Sequence, residues 1–426
     1  MSILSLQKQS QAPDFPNVRP SLDLRFALAK KLDPRITFTR GSTGTYFGPD
    51  GIMKTAGVNE PRFDHDPITG QSLGLLIEES RQNIALQSES INSSPWGTST
   101  LTFATDSIVA PDGNTTADKL IENPSFSSFK TTAQSVGTIS GTYTVSAFFK
   151  AGERYRGYIQ LFGTGGNATA IFNLRTGTIT GGSGTNTITP YPNGWYRVSS
   201  TQTFTSATAS IYIVVQNDSG TSAYTGDGTS GIYIWGAQLE AGAFPTSYIP
   251  TTVSTVTRSA DAANITNISS FFNASEGTLC VDSEMPYQTN LKFPFIGFTR
   301  GAGATNSIGF YYYNTSTPYA AFLVRNTADA AGGGTAAANL VEASSPSQIV
   351  GVYKKFIGTY KFGELNYYFD GKYVNRRTTN KNLPSNLTYM EIGTNAGSSD
   401  RLNGHIRRIT YYPIQLTNQQ LINLSS

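Results

Sequence analysis

Apolar and polar positions alternate along this chain in short runs. "TYTVSAFFK", "GYIQLFG", "TAIFNL", "WYRVSSTQTF", "SIYIVVQN" and "GIYIWGAQLE" follow one another through its middle, separated by Gly, Asn and Ser loops. A period of two is the signature of a β-strand with one face buried, and several such runs at short spacing predict a sandwich rather than a βαβ fold. In "YIWGAQL", Tyr233, Trp235, Ala237 and Leu239 share one face and Ile232 and Ile234 the other. That pattern suits a closing strand in a two-sheet core. The strand then runs into Pro245 and Pro250, which cannot donate to a ladder, so pairing stops and an extended exit begins. The prolines mark a domain end, and residues 241–258 read as a joint between two independently folding units.

Alternation resumes beyond the joint. "EGTLCVDSEM" puts Leu279, Val281 and Met285 on one face and Thr278, Cys280, Asp282 and Glu284 on the other. "SIGFYYYN", "AAFLVRN", "QIVGVYKKF", "LNYYFDGKYVNRR", "TYMEIGT" and "GHIRRITYYPIQL" continue the series. Asp370-Gly371 between two aromatic runs predicts a tight hairpin, because both central positions tolerate positive φ. In "LTNQQLINLSS", Thr417 suits a cap and Leu421 and Leu424 can pack, so a single helical turn closes the chain. Before the first sandwich, Pro34, Gly41, Gly44, Pro49, Gly51, Pro61 and Pro67 leave room only for short strands and turns. "LGLLIEESRQNI" reads there as a strand running into a loop. The expected fold is therefore all-β: an irregular module over 1–84, a jelly roll over 85–252 and a second sandwich over 253–426.

Composition supports that reading and removes several functions. Charged residues are 14% of the 426, against about 25% in average proteins, while 23 Tyr and 24 Phe supply apolar bulk. Aromatic and Thr residues suit pleated strands, and Gly, Asn and Pro suit turns. The net charge of +3 is dispersed, with short pairs such as Arg376-Arg377 at most, so nucleic acid is not an expected partner. One cysteine, Cys280, excludes an internal disulfide framework and reads as a small strand hydrophobe. No apolar run is long enough for a secretory signal or a membrane span. The sequons at Asn114, Asn167 and Asn273 follow from an Asn- and Thr-rich composition.

Longer stretches carry a resemblance. "LDPRITFTRGSTGTYFGPDG" with "GVNEPRFDHDPITGQSLGLLIEESRQNI", about residues 22–92, resembles a segment of tailed-bacteriophage structural proteins of the head-spike or fibre kind. "APDGNTTADKLIE", "YTVSAFFKAG", "NGWYRVS" and "IYIWGAQLEAGAFPTSYIPT" resemble carbohydrate-binding-module-like jelly rolls. The last unit looks like a laminin-G or concanavalin-A-like sandwich in "GTLCVDSEM", "YYFDGKYVNR" and "LNGHIRRITYYPIQLTNQQLINL". The resemblance implies a fibre, spike or capsid-decoration protein on the virion surface, with virion proteins and a host glycan as partners and a homotrimer as the assembly. A virion protein released by lysis also reconciles an extracellular-looking composition with the lack of an export signal. Related carbohydrate modules carry calcium-binding aspartates in the final strand. Here that strand reads "YIWGAQLE", so no metal and no cofactor is expected.

Candidate chemistry is sparse. Asp282 and Glu284 point the same way, as the acids of a concanavalin-like glycosidase do, but Cys280 and Pro286 flank them where a third acid would stand. No catalytic residue is expected, and a polysaccharide depolymerase remains the alternative, beside a purely particle-stabilising protein. His65 in "RFDHDP" and His405 in "NGHIRR" have no Cys partner for a zinc site, and His65 reads as a loop residue. "GFYYYNTSTPY" offers Tyr311, Tyr313 and Tyr319 as a glycan platform. Trp96, Trp195 and Trp235 read as jelly-roll core and rim.

Overall fold

Residues 101–241 form one nine-stranded antiparallel sheet that doubles over on itself. Its frame is a long hairpin of two 22-residue strands, Lys130–Ala151 and Trp195–Gln216. Two register shifts, at Ser135/Gly137 and Ile139/Gly141, bend the pair midway. Gly137 and Gly141 lie there at φ 78° and 100°, a region that glycine enters at little cost. One half of the hairpin pairs with Arg156–Gly163, the other with Gly231–Ala241 and Thr185–Pro190. The halves enclose a shared core in which Ile159, Leu161 and Ile211 meet Val145, Ile234 and Leu239. A register shift at Gly236, φ 66°, turns Ala237 and Leu239 to the face of Ile232 and Ile234, not to that of Tyr233 and Trp235 as strict alternation predicts. Trp96, Trp195 and Trp235 are 1–4% exposed, core residues as the sequence predicts.

The computed structural model describes residues 19–97, 100–284, 295–300, 306–313, 319–326, 343–344, 353–378, 382–384, 386–394 and 401–425. In the second sandwich, an eight-stranded sheet centres on Glu276–Glu284 and Gly404–Tyr412, and a seven-stranded sheet on Tyr389–Thr394 and Phe295–Thr299. Leu279, Val281, Ile409 and Tyr411 of the first face Ile265, Phe298, Phe310 and Met390 of the second in one core. The Asp370-Gly371 hairpin is present, with φ of 44° and 74° at the two turn residues. The C-terminal helix runs over Asn418–Ser425, longer than the single turn expected. Thr417 caps it reciprocally: Gln420 N donates to Thr417 Oγ1, and Thr417 N to Gln420 Oε1. Leu421 is the helix's fully buried residue.

The domain boundaries differ from the sequence reading. Residues 22–77 do not build a separate module around their own core. Leu22–Leu24 and Ser72–Ile77 both pair with Gly404–Tyr412, Phe63–His65 pairs with Ser72–Ile77, and Thr37–Thr39 pairs with Ala262–Ile265. The second sandwich is thus assembled from both ends of the chain, with the jelly roll inserted between. Local pattern could not show this, because short strands can pair with any edge of matching polarity. The apolar run Leu75, Leu76 and Ile77, 0–5% exposed, is covered by the chain itself and leaves no face awaiting a second copy.

The proline-marked exit also differs. Strand Gly231–Ala241 ends before Pro245, as expected. The segment that follows is packed rather than free: Phe244, Tyr248 and Ile249 are 3–4% exposed. Asn83 Nδ2 donates to Ile249 O at 2.8 Å, Ile249 N to Gln238 Oε1 at 2.8 Å, and Thr251 Oγ1 to Ala85 O at 2.5 Å. Pro245 is buried and Pro250 exposed. A fragment of residues 253–426 lacks four of its strands and loses the burial of Leu75 and Ile77, worth about 1.5–3 kcal/mol each. Expressed alone it will show no cooperative unfolding transition by circular dichroism; a sharp transition would mean that the early strands are dispensable.

Candidate functional site

The tyrosines proposed from sequence do not make an open platform. Tyr311 is buried, 6% exposed, and the Arg325 guanidinium lies over its ring at 4.5 Å, so no face remains for a sugar. An aromatic in a hairpin next to the core packs before it binds. Tyr312, of opposite parity, is core as well, its hydroxyl 2.8 Å from Ser283 Oγ. Tyr313 and Tyr319 are cross-strand partners; their side chains lie outside the described part of the structure.

The acids occupy the outer face that alternation assigns them. Asp282 faces Lys355, Arg407 and Arg408, and burial holds its carboxyl above the usual range. Glu284 lies 3.5 Å from His405 Nδ1. Cys280, on the same face, is partly covered where the C-terminal helix packs, and burial pushes its thiol up to about 12. A thiol of that kind stays protonated near neutrality, in keeping with a structural residue.

The chemistry the sequence left scattered converges instead at the seam between the sandwiches. Asp64 and His65 come from strand Phe63–His65, His405 from Gly404–Tyr412, Glu78 from the residue directly after Ser72–Ile77, and Arg197 from the jelly-roll hairpin. Together with Pro245, Thr246, Ser247 and Tyr248 of the proline exit they line a cavity of about 200 Å³. Its walls are aromatic. Tyr191 lies 5.0 Å from Phe47 and 5.1 Å from Phe148, and Tyr248 4.5 Å from Trp235, centroid to centroid.

Below the cavity lies a buried ionic junction. Asp261 Oδ1 accepts from Arg40 Nη1 at 3.1 Å and its Oδ2 from Arg62 Nη2 at 2.5 Å. Glu78 Oε2 accepts from Arg62 at 2.7 Å and from Ser247 Oγ at 2.6 Å, with Arg258 Nη1 at 3.1 Å. Arg40, Arg62, Arg258 and Asp261 are all 0–1% exposed. Burial works against each charge, but the Arg258 and Arg62 guanidiniums hold the Glu78 carboxyl far below the usual range. Asp261 and Glu78 in turn raise Arg62 despite its burial. These groups are committed to structure.

The histidines differ from one another. His405 donates through Nε2 to Asp64 Oδ2 at 2.9 Å. Burial alone would depress its imidazolium; the bonds and charges of Asp64 and Glu284 outweigh that and raise it to about 9. His65 is not a loop residue but a strand residue only 3% exposed. Its Nδ1 gives its proton to Phe47 O at 3.0 Å, and Nε2 has no partner. Arg197 donates through Nη1 to Thr246 O and through Nη2 to Ser146 Oγ, while its buried Nε is also unpartnered. Sequence reasoning missed Arg197, Arg62 and Glu78. The available signal was a charge at a core position: Arg197 inside "WYRVS", and Glu78 directly after "LGLLI". Among the described residues, no group of three or more His, Cys, Asp or Glu side chains is disposed to hold a metal ion.

No family model matches the chain, and no curated protein matches it. Some solved structures are similar over part of it. The Ruminococcus gnavus IT-sialidase CBM40 bound to α2,3-sialyllactose is 14% identical, covers 36% of this chain and 84% of its own, and has a TM-score of 0.29. The NanB sialidase from Streptococcus pneumoniae is 15% identical over 38% of this chain and 26% of its own, with a TM-score of 0.29. The binding domain of botulinum neurotoxin serotype D is 9% identical over 39% of this chain and 40% of its own, again at 0.29.

His405 generates a pH prediction. Its folded-state pKa lies above the ordinary value of 6.5, so its stabilisation is complete below about pH 6.5 and is lost as pH rises toward 9. Urea unfolding across that window will show the natural protein losing up to about 3 kcal/mol more than His405→Gln. Parallel pH profiles would remove the Asp64–His405 pair from the stability of the seam.

Proposed function

We propose that the protein is a non-catalytic glycan-binding component of a tailed-phage particle surface, a fibre, spike or capsid-decoration protein. The observation that carries glycan binding is the seam cavity. It joins ring faces, on which sugar C–H groups stack, with buried polar atoms that have no partner within the chain. Aromatic walls with a few convergent polar groups are the usual make-up of a small-ligand site. The particle context rests on the resemblance of residues 22–92 to phage structural proteins. Residues 22–77 supply strands to the second sandwich, so docking to other virion proteins would use their outer surface. Leu28, Val58 and Ile68, 55–74% exposed, are available there. A homotrimer belongs to the same proposal and rests on the resemblance to fibres alone; repeated weak glycan contacts would gain from avidity in such an assembly.

Purified full-length protein applied to an array of bacterial surface glycans will bind a subset and release no reducing sugar from it. Absence of binding across the array would leave a purely particle-stabilising role. Released oligosaccharide would establish the depolymerase, with Asp282→Ala and Glu284→Ala as the variants to examine. Mass measurement in solution tests the trimer directly.

A further inference from the structure

We infer that the seam cavity binds one neutral, hydroxyl-bearing ring, the terminal residue of a neutral glycan. This deepens the reading above and rests on it.

Size comes first. At about 200 Å³ the cavity is smaller than the roughly 300–1,000 Å³ of sites for drug-sized ligands, and it suits a single ring rather than an extended oligosaccharide. The remainder of a longer chain would have to leave through the cavity mouth.

Charge comes second. Four charged side chains line the cavity, Asp64, Glu78, Arg197 and His405. Two are carboxylates and two are cations, because His405 remains protonated until about pH 9. Both carboxylates already have cationic partners, Asp64 in His405 and Glu78 in Arg62 and Arg258. Arg197 donates to the Thr246 carbonyl and the Ser146 hydroxyl rather than to a carboxylate. A ligand carboxylate would gain that one counter-charge against the like charges of Asp64 and Glu78 and its own desolvation, whereas a neutral ligand meets neither cost.

Unmet hydrogen bonding comes third. In the Nδ1–H tautomer that donates to the Phe47 carbonyl, His65 Nε2 is a buried acceptor with no partner. Arg197 keeps one N–H without an acceptor. Buried polar atoms are normally paired, so an orphan acceptor and an orphan donor on one cavity require an explanation. A hydroxyl supplies both functions: it donates to His65 Nε2 and offers lone pairs to Arg197 Nε–H. The ring's C–H face would lie against Phe47 and Tyr191, the half-buried rings of the wall.

The test uses full-length protein, a panel of neutral hexoses and N-acetylhexosamines beside uronic and sialic acids, and the glycan array. His65→Asn retains a donor near the Nδ1 position for the Phe47 carbonyl and deletes the acceptor. Leu73→Trp, at a half-buried lining position, fills the cavity from its rim. At least one neutral sugar should bind the natural protein, about tenfold more weakly to His65→Asn, and undetectably to Leu73→Trp. Circular dichroism must show both variants folded; if Leu73→Trp is not, His65→Asn and a crystal soaked in the bound sugar decide the matter. An array-positive protein whose binding survives both substitutions would move the glycan site elsewhere and overturn this inference alone. A negative array would overturn glycan binding itself. Preference for the acidic sugars, or a soaked crystal with water only in the cavity, would also overturn it.

Discussion

One carboxylate ties the early strands to the segment that follows the jelly roll. Asp261 lies just past the jelly roll, and it binds Arg40 and Arg62 from the first strands as well as the backbone N–H of Glu78. All of these groups are out of water. Placing such charges in an apolar interior costs several kcal/mol per ion, recovered only when every partner is present with good geometry. The junction is therefore conditional on the whole arrangement. Glu78 extends it to Arg258 and Ser247, so the exit of the jelly roll, the start of the second sandwich and the early strands are tied at one point.

That constraint explains why the proline-rich exit is not a hinge. Its polar groups serve the junction and the seam: Ser247 donates to Glu78, Thr246 N and Oγ1 to Glu240, and the Thr246 carbonyl accepts from Arg197. The two prolines stop strand pairing, and the residues between them are then fixed by contacts to both sandwiches. The seam cavity follows from the same geometry. The cavity lies beside this joint, lined by Phe47 and His65 from the early strands, Phe148 and Arg197 from the jelly roll and Ser247 and Tyr248 from the exit.

Much of the fold was legible because it is local. Alternation located the jelly-roll strands and the inward faces of Leu279 and Val281. Asp370-Gly371 gave its hairpin and Thr417 its cap. What was not legible depends on pairing across the chain. "TFT" at 37–39 and "FDH" at 63–65 carry too little pattern to name a partner strand more than 200 residues away in the first case, or to show that their sheet includes the C-terminal half. The site failed for a related reason. Tyr311 was prominent because it is aromatic, yet aromatic residues are also this chain's packing material, and Tyr311 is packed. The seam groups were inconspicuous singly: His65 in a loop-like string, Arg197 in a strand, Tyr248 among prolines. Only the tertiary fold brings them to one cavity.

The central claim is that the buried junction makes the two sandwiches one cooperative unit. The chain carries its own reporters for each. All three tryptophans, Trp96, Trp195 and Trp235, lie in the jelly roll, and the one cysteine, Cys280, lies in the second sandwich. A urea titration followed by tryptophan fluorescence and by Cys280 labelling should give coincident midpoints for the natural protein. Asp261→Ala removes the carboxylate partner of Arg40 and one of the two carboxylates on Arg62, and should cost about 3–5 kcal/mol, with Cys280 becoming reactive before the fluorescence changes. Two separate midpoints in the natural protein, or coincident and unshifted curves in Asp261→Ala, would contradict it.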